Sequence, residues 1–311
     1  MLEGQISPIR RFFHILLIFS AIFLTCTRRE PNTYVIIPQA SAAGFFSLRS
    51  EKEEKPVHIL LIGHDQAEDG SSSRADSIIL CTFHQSSKEV IMTSFLRDLY
   101  LPIPGQKDNR LNAAYAYGGM SLLKETMETN FDLEIDGCVE VDFNQFADIL
   151  DLLGGVTISL RQDEADYINK IVSSSLKEGT QLLNGSQALA YTRIRKLDSD
   201  GDFSRTTRQR TVLCALLRSY EEASVFTILS VLSDILPMLS SDMTEREMIS
   251  TTIKLLPMLS GSTVTGQSVP ADDTYQYSTI RGMSVLTADL SALRQQLQES
   301  LERANQKTSA K

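Results

Sequence analysis

Two kinds of apolar segment alternate along this sequence, and together they predict an α/β fold with a largely parallel or mixed central sheet covered on both faces. Short unbroken apolar runs, Val57–Ile62, Ser77–Phe83 and Val90–Phe95, have the length and continuity of strands buried on both sides. Longer segments repeat their apolar residues every three or four positions and carry helix punctuation: Gly154-Gly155 after one, Asn184 before another. The chain has 311 residues, 42% apolar and 22% charged, enough for one large domain or two small ones.

The elements follow in order. A polar loop from Asp65 to Arg74 separates the first two strands, and the third ends at Phe95. Gly118-Gly119 opens a helical pattern that reaches about Asn130. Val139–Val141 is a short strand, Phe143–Leu153 a helix closed by the glycine pair, and Val156–Leu160 another strand. Asn184 can cap a helix over Ala188–Tyr191. A long helix runs from Phe203 to about Ala223, and two more apolar helices lie near 225–239 and 244–259. A strand pair near 264–286 and a helix near 288–303 complete the pattern; the polar tail 304–311 is expected to fray. No composition shift after residue 57 marks a boundary, so 57–303 reads as one domain.

The N-terminus has a different character. Arg10 and Arg11 precede an apolar run from Phe12 to Thr25, the layout of an export signal within residues 1–26. The run is short for a permanent span, which takes about 20 apolar residues. It ends in Phe23-Leu24-Thr25-Cys26, a loose lipobox in which Cys26 would be lipidated. Lipoprotein and uncleaved signal anchor both fit, and a buried helix fits less well. Either favoured reading puts the rest of the chain outside the cytoplasmic membrane. Residues 27–56, polar and ending in the charged run 51–55, then form a tether.

A formal charge of −9 argues against a nucleic-acid footprint spread over the surface, so any anion site must be a local basic cluster. The four cysteines form no metal-ligand spacing, which argues against zinc. Cys81 and Cys214 sit inside apolar runs and read as small core residues.

Three groups of residues carry candidate chemistry. Asp65 lies just past the first strand and Asp76 just before the second. Ligands of open α/β sheets bind at such strand mouths, and two carboxylates there suit Mg²⁺, though turn-forming aspartates would look the same. Arg97 and Asp98 follow the third strand at the same edge. Arg193 and Arg195 are two apart, so an extended backbone would aim both to one side. In the helix that follows, the apolar stripe Val212, Leu213, Leu216, Leu217 continues backward through Gln209, Arg208 and Arg205. Arginines on a buried face need anionic partners. With few internal carboxylates in view, a ligand phosphate is the natural partner, matched by the planar guanidinium fork. Arg208 also fits as a structural pair for Asp202.

The motifs Arg74-Ala75-Asp76-Ser77, Ser94-Phe95-Leu96-Arg97-Asp98, Ile103-Pro104-Gly105, Arg110-Leu111-Asn112, Val141-Asp142-Phe143, Leu153-Gly154-Gly155-Val156, Leu183-Asn184-Gly185 through Arg193-Ile194-Arg195, and Asp202-Phe203-Ser204-Arg205 through Gln209 occur in a fixed order. That order resembles the LytR-CpsA-Psr family, strongly over 57–215 and loosely over 216–302. The resemblance implies an extracytoplasmic three-layer α-β-α domain that moves a glycopolymer from a polyprenyl pyrophosphate carrier to a cell-wall acceptor, usually peptidoglycan. It implies that Asp65 and Asp76 hold Mg²⁺. The pyrophosphate would be held by Arg74, Arg97, Arg110, Arg193, Arg195, Arg205 and Gln209, with Arg97, Asp76 and Asp98 at the reacting centre; its place beside Arg97, not the resemblance, makes Asp98 a candidate base. Apolar residues would line a tunnel for the polyprenyl tail. Leu96 stands where the family pattern has Pro, which removes a fixed φ from the loop presenting Arg97, and Arg110 where it commonly has Lys. A binding module without turnover and a pyrophosphatase are the alternatives. A transcription regulator is disfavoured by the acidic charge and by the lack of a helix-turn-helix pattern.

Overall fold

The structure, a computed structural model, describes residues 33–34, 55–65, 73–219, 224–259 and 261–306. The expected export signal, Cys26, nearly all of the tether and the loop at 66–72 lie outside the described residues. In chain order the first half holds β1 (Thr33–Tyr34), β2 (Val57–His64), β3 (Ala75–His84), β4 (Glu89–Phe95), β5 (Tyr100–Leu101), β6 (Asn109–Arg110), α1 (Leu111–Phe131) and β7 (Gly137–Asp142). Next come α2 (Phe143–Leu152), β8 (Val156–Leu160), α3 (Gln162–Val172), β9 (Gly179–Leu183), α4 (Gly185–Thr192), α5 (Asp202–Ser219) and α6 (Val225–Ile235). The chain ends with β10 (Ser240–Ser241), α7 (Glu245–Leu255), β11 (Thr263–Val269), β12 (Gln276–Ile280), β13 (Met283–Thr287) and α8 (Leu290–Gln306). The fold is mixed α/β, with parallel and antiparallel pairs in its central sheet.

These elements group into two compact units, one ending at Val139 and resuming at Pro257, the other spanning Glu140–Leu256. The sequence shows no composition shift at either point, and so reads as one domain; each unit is described by itself.

In the sheet unit the strand order is β1-β11-β4-β3-β2-β7. β2, β3 and β4 form an antiparallel meander, and β11 joins β4 in parallel. All seven residues of β4 are buried, the polar Glu89, Thr93 and Ser94 along with the apolar four. Leu60, Leu80, Phe95 and Phe131 anchor one core cluster, with the Phe95 and Phe131 rings edge-on at 4.9 Å. Each such side chain contributes about 1.5–3 kcal/mol when fully buried. From α8, Leu293, Leu297 and Leu301 enter the same cluster at helical spacing.

Two expectations change here. The helix expected to open at Gly118 begins at Leu111, and Gly118-Gly119 is a kink within it. Gly119 adopts φ 63 and ψ −154, a conformation closed to residues with a Cβ. The expected strand pair near 264–286 is three strands: β11 in the main sheet, then the β12–β13 hairpin. Pro270 ends β11, because it has no N–H to give the ladder.

The helical unit is built by local capping. Asp142 accepts the backbone N–H groups of Asn144 and Gln145, and Gln145 returns a bond to the Asp142 N–H, so α2 starts in a capping box. Gly154 and Gly155, both at positive φ, turn the chain into β8. Asn184 and Gln187 repeat the box at α4. Between these lie α3 and β9, which the sequence pattern leaves unassigned; their signal is present in Asp163 and Glu164 in the first turn and Lys170 in the last.

Gly185 opens α4 where a Cβ would stand 2.0 Å from the Ala147 carbonyl oxygen of α2. Backbone is the obstacle, so no rotamer relieves it. Gly185→Ala is expected to destabilise the protein by about 2 kcal/mol, read as a lower urea midpoint at unchanged slope.

Candidate functional site

At one end of the sheet unit the strand register itself brings charges together. The β3–β4 ladder ends with Ile79 opposite Ser94, and just beyond it Asp76 at the start of β3 and Arg97 after β4 meet. Arg97 Nη1 donates to Asp76 Oδ1. On its other side Arg97 Nε lies 3.7 Å from Asp98 Oδ2, and Arg110 Nη1 donates to Asp98 Oδ1 at 2.9 Å. The result is a chain of alternating charge, Asp76–Arg97–Asp98–Arg110, whose side chains are only 20–28% exposed. That shelter makes each ion pair stronger than a surface pair.

A bulge re-aims Asp76. Opposite Gly63 and His64 the partner shifts from Ser77 to Ala75, so Asp76 is the extra residue of the ladder. The His64 ring stacks on Tyr115, centroids 5.3 Å apart. Asp65, one residue past β2, and Arg74, one before β3, lie at this same end and are exposed. Asp76, Arg97, Asp98 and Arg110 thus form one chain of ion pairs, whereas Arg74 has no ion pair among the described residues.

The segment presenting Arg97 is held on every side by backbone bonds. Leu96 is fully buried and its N–H donates to the Val269 carbonyl at 2.9 Å, a bond that Pro could not make. The Arg97 and Leu99 carbonyls accept the Asn112 and Leu111 N–H groups, which satisfies first-turn donors of α1. The loss of a fixed φ at position 96 is therefore offset by these bonds.

The helical unit has a second set of arginines. Arg193 follows α4 with φ −95 and ψ −2, so it is not extended as expected. It is exposed, with its guanidinium carbon 4.3 Å from the Phe143 ring centre. Ile194 is buried and Arg195 exposed, its Nε 4.0 Å from Asp202. Arg205 is buried and donates to Asp202 at 2.9 Å. Gln209 is half-buried, one turn further along α5.

Arg208 overturns one expectation. It is buried, but its partners are internal carboxylates: Nε donates to Glu164 at 2.9 Å, and Nη2 donates to Asp198. Asp202 belongs instead to Arg205 and Arg195. The supply of internal carboxylates looked small because Glu164 sits in α3, a helix not recognised in the sequence. Arg161 adds a contact to Asp198 at 3.0 Å. Burial opposes the charge on Asp198, but hydrogen bonds from Arg208 and Arg161 outweigh it and hold its carboxyl below the usual carboxylate range. Sequence reasoning passed over Arg161, Glu164 and Asp198; the Asp163-Glu164 pair in a first helical turn was the available signal.

Among the described residues no three His, Cys, Asp or Glu side chains stand together as a metal cluster, and no helix is long and apolar enough to cross a membrane.

The LytR_cpsA_psr family pattern matches residues 29–301. A polyisoprenyl-teichoic acid–peptidoglycan teichoic acid transferase, TagU, of Bacillus licheniformis is 36% identical over 173 residues, 55% of this chain and 55% of that protein. A structure of TagT bound to LIIa-WTA is similar with TM-score 0.66 and 28% identity, covering 85% of this chain and 97% of that one. A TagT structure with bound octaprenyl pyrophosphate lipid is similar with TM-score 0.60 and 28% identity, covering 84% and 98%. The chain spans about half the length of the curated relatives it matches.

The Arg208 network is expected to be structural. Arg208→Met leaves buried Glu164 without its close partner and Asp198, among the described residues, with Arg161 alone, and should cost about 3–5 kcal/mol in urea unfolding, with part of the loss recovered in the Arg208→Met, Glu164→Gln double variant. Acid should weaken the same network. The Asp198 carboxyl is depressed in the folded state, so its contribution is present above the unfolded value, about 3.9, and fades as pH falls through the lower folded value. Melting curves from pH 5 to pH 2 should therefore fall more steeply for the wild type than for Asp198→Asn.

Proposed function

Because the chain belongs to the LytR_cpsA_psr family, we propose that it is an extracytoplasmic, Mg²⁺-dependent phosphotransferase that moves a glycopolymer from a polyprenyl-pyrophosphate carrier to a cell-wall acceptor such as peptidoglycan. The observation that carries this reading is Arg97, set between Asp76 and Asp98 with Arg110 beyond. Guanidinium groups held this way are pre-oriented donors for phosphate oxygens, and they need no reorganisation when charge develops. The lipid held by the TagT structure and the activity in the TagU name support the same substrate class.

The chemistry would be an in-line displacement. An acceptor sugar hydroxyl attacks the phosphorus on the sugar side of the pyrophosphate, its O–H proton passes to a base or to water, and polyprenyl phosphate leaves with the bond pair. Catalysis of this kind is mostly positioning and charge stabilisation. Arg97 and Arg110 bind and stabilise the phosphates of the leaving group, while Asp98 keeps both guanidinium groups oriented. Arg74 stands at the same sheet end to join them. Arg193, Arg195, Arg205 and Gln209 keep the anion-binding role that the family resemblance gives them.

The donor set at this sheet end fits Mg²⁺. That ion takes one or two carboxylates and completes its shell with water and substrate phosphate, so it needs no cluster of three. Asp76 meets Arg97 through Oδ1, and its Oδ2 accepts no hydrogen bond from the described residues. Asp65 lies at the same end. These two carboxylates would hold the ion, which would supply positive charge to the phosphate oxygens when bound. Attachment to the outer face of the membrane, through lipidated Cys26 or a signal anchor, completes the proposal.

Asp76→Ala and Arg97→Ala are each expected to lower transfer by about a hundredfold or more, measured with a synthetic lipid-linked saccharide and purified cell wall. Full activity in excess chelator would remove Mg²⁺ from the mechanism. Release of free glycan without attachment would show a pyrophosphatase, and lipid binding without turnover a binding module.

A further inference from the structure

The β12–β13 hairpin carries a cavity that belongs to neither arginine cluster. It measures about 430 Å³, and Asp273, Tyr275, Gln276, Thr287 and Asp289 are among its lining residues. Small-ligand sites run to about 300–1,000 Å³. The hairpin is pinned to the segment that presents Arg97. At its closed end Arg281 donates to the Tyr100 hydroxyl at 2.7 Å and to the Asp108 carbonyl. Along β13 the Leu286 N–H donates to the Asp98 carbonyl at 2.9 Å, and Leu286 bridges Leu99. Thr287 follows directly, so the cavity opens next to the residue bonded to Asp98.

The lining has a definite chemistry. Tyr275 lines the cavity, and outside it the Tyr277 ring, 71% exposed, meets Tyr275 edge-on, 5.4 Å apart at 86°. Burial and a hydrogen bond with Tyr277 raise the Tyr275 hydroxyl above its ordinary value. Thr287 Oγ1 is spent on Ser278 and the Gln276 carbonyl, and Asp289 Oδ1 accepts the Ser291 and Ala292 N–H groups; these bonds stiffen the walls. The Asp273 carboxylate and the Gln276 amide bond no other described side chain. Aromatic rings can cover the C–H face of a sugar, while carboxylates and amides take its hydroxyls. The Asp273 and Asp289 carboxylates, both exposed at this opening, favour an uncharged ligand over an anionic one.

We propose that this cavity is a subsite for uncharged sugar units of the acceptor glycan, and that it leads that strand toward the segment holding Arg97. The proposal rests on the transferase reading for its setting, but its test does not. The full chain, without lipid donor, is titrated with a β-1,4-linked N-acetylglucosamine tetrasaccharide and separately with a glycerol-phosphate oligomer that stands for a charged donor polymer. The wild type should bind the tetrasaccharide and not the phosphate oligomer. Tyr275→Ala and Asp273→Asn should each weaken tetrasaccharide binding about tenfold, with binding of a polyprenyl pyrophosphate unchanged. No binding by the wild type, equal binding in all three proteins, or tighter binding of the phosphate oligomer overturns the subsite. Asp273→Asn replaces an exposed side chain, so it decides the matter if Tyr275→Ala fails to fold. A wild type that binds the tetrasaccharide but fails to transfer from a lipid-linked donor counts against the transferase reading alone.

Discussion

The sheet end of this protein depends on one arrangement: a guanidinium, Arg97, fixed between two carboxylates in a site only partly open to water. A charge with that little solvent must be compensated by the protein. Asp76 and Asp98 supply the compensation, and the surrounding structure keeps them where they are needed. Asp76 and Arg97 meet just past the end of the β3–β4 ladder, and the bulge beside His64 turns Asp76 out of the β2–β3 pairing. The carbonyls of residues 97, 98 and 99 are claimed by Asn112, Leu286 and Leu111. A four-residue segment is thus held by β11, by the start of α1 and by β13, so it cannot shift without breaking bonds in three elements.

The helical unit solves the same problem with a different emphasis. Arg208 is enclosed by Glu164 and Asp198 and serves the fold, tying α3 and α5 to the loop between α4 and α5. Arg205 is also buried, but its bond to Asp202 is local, three residues back on its own helix. Arg193 and Arg195 stay exposed on either side of buried Ile194, which anchors the loop between them. Buried and exposed arginines a few residues apart therefore do different work. The one enclosed by carboxylates from other elements stiffens the loop, while Arg193 lies over the Phe143 ring and Arg195 beside Asp202 at the surface. An acidic chain can carry such basic clusters because each one is balanced locally rather than by the total charge.

Much of this was legible in the sequence for reasons of short range. Runs rich in apolar residues marked β2, β3 and β4, because a strand buried on both faces is apolar at most positions. Asn184 and the glycine pair at 154–155 marked helix ends, because caps act on backbone groups within a turn. The continuation of an apolar stripe through Arg205 and Arg208 showed that both would be buried, since helix periodicity fixes a face. The order of the motifs showed the family. What stayed hidden was which groups meet. Glu164 lies 44 residues from Arg208, and nothing in either segment names the other. Leu96 looked like the loss of a rigid proline until its N–H found Val269, 173 residues away in β11. Composition and periodicity are properties of a segment, so the sequence by itself determined the elements, their buried faces and the list of candidate charges. Ion pairing is a property of distance in space, so only the tertiary structure decided that Arg97 bridges Asp76 and Asp98, and that Arg208 is enclosed by the protein's own carboxylates.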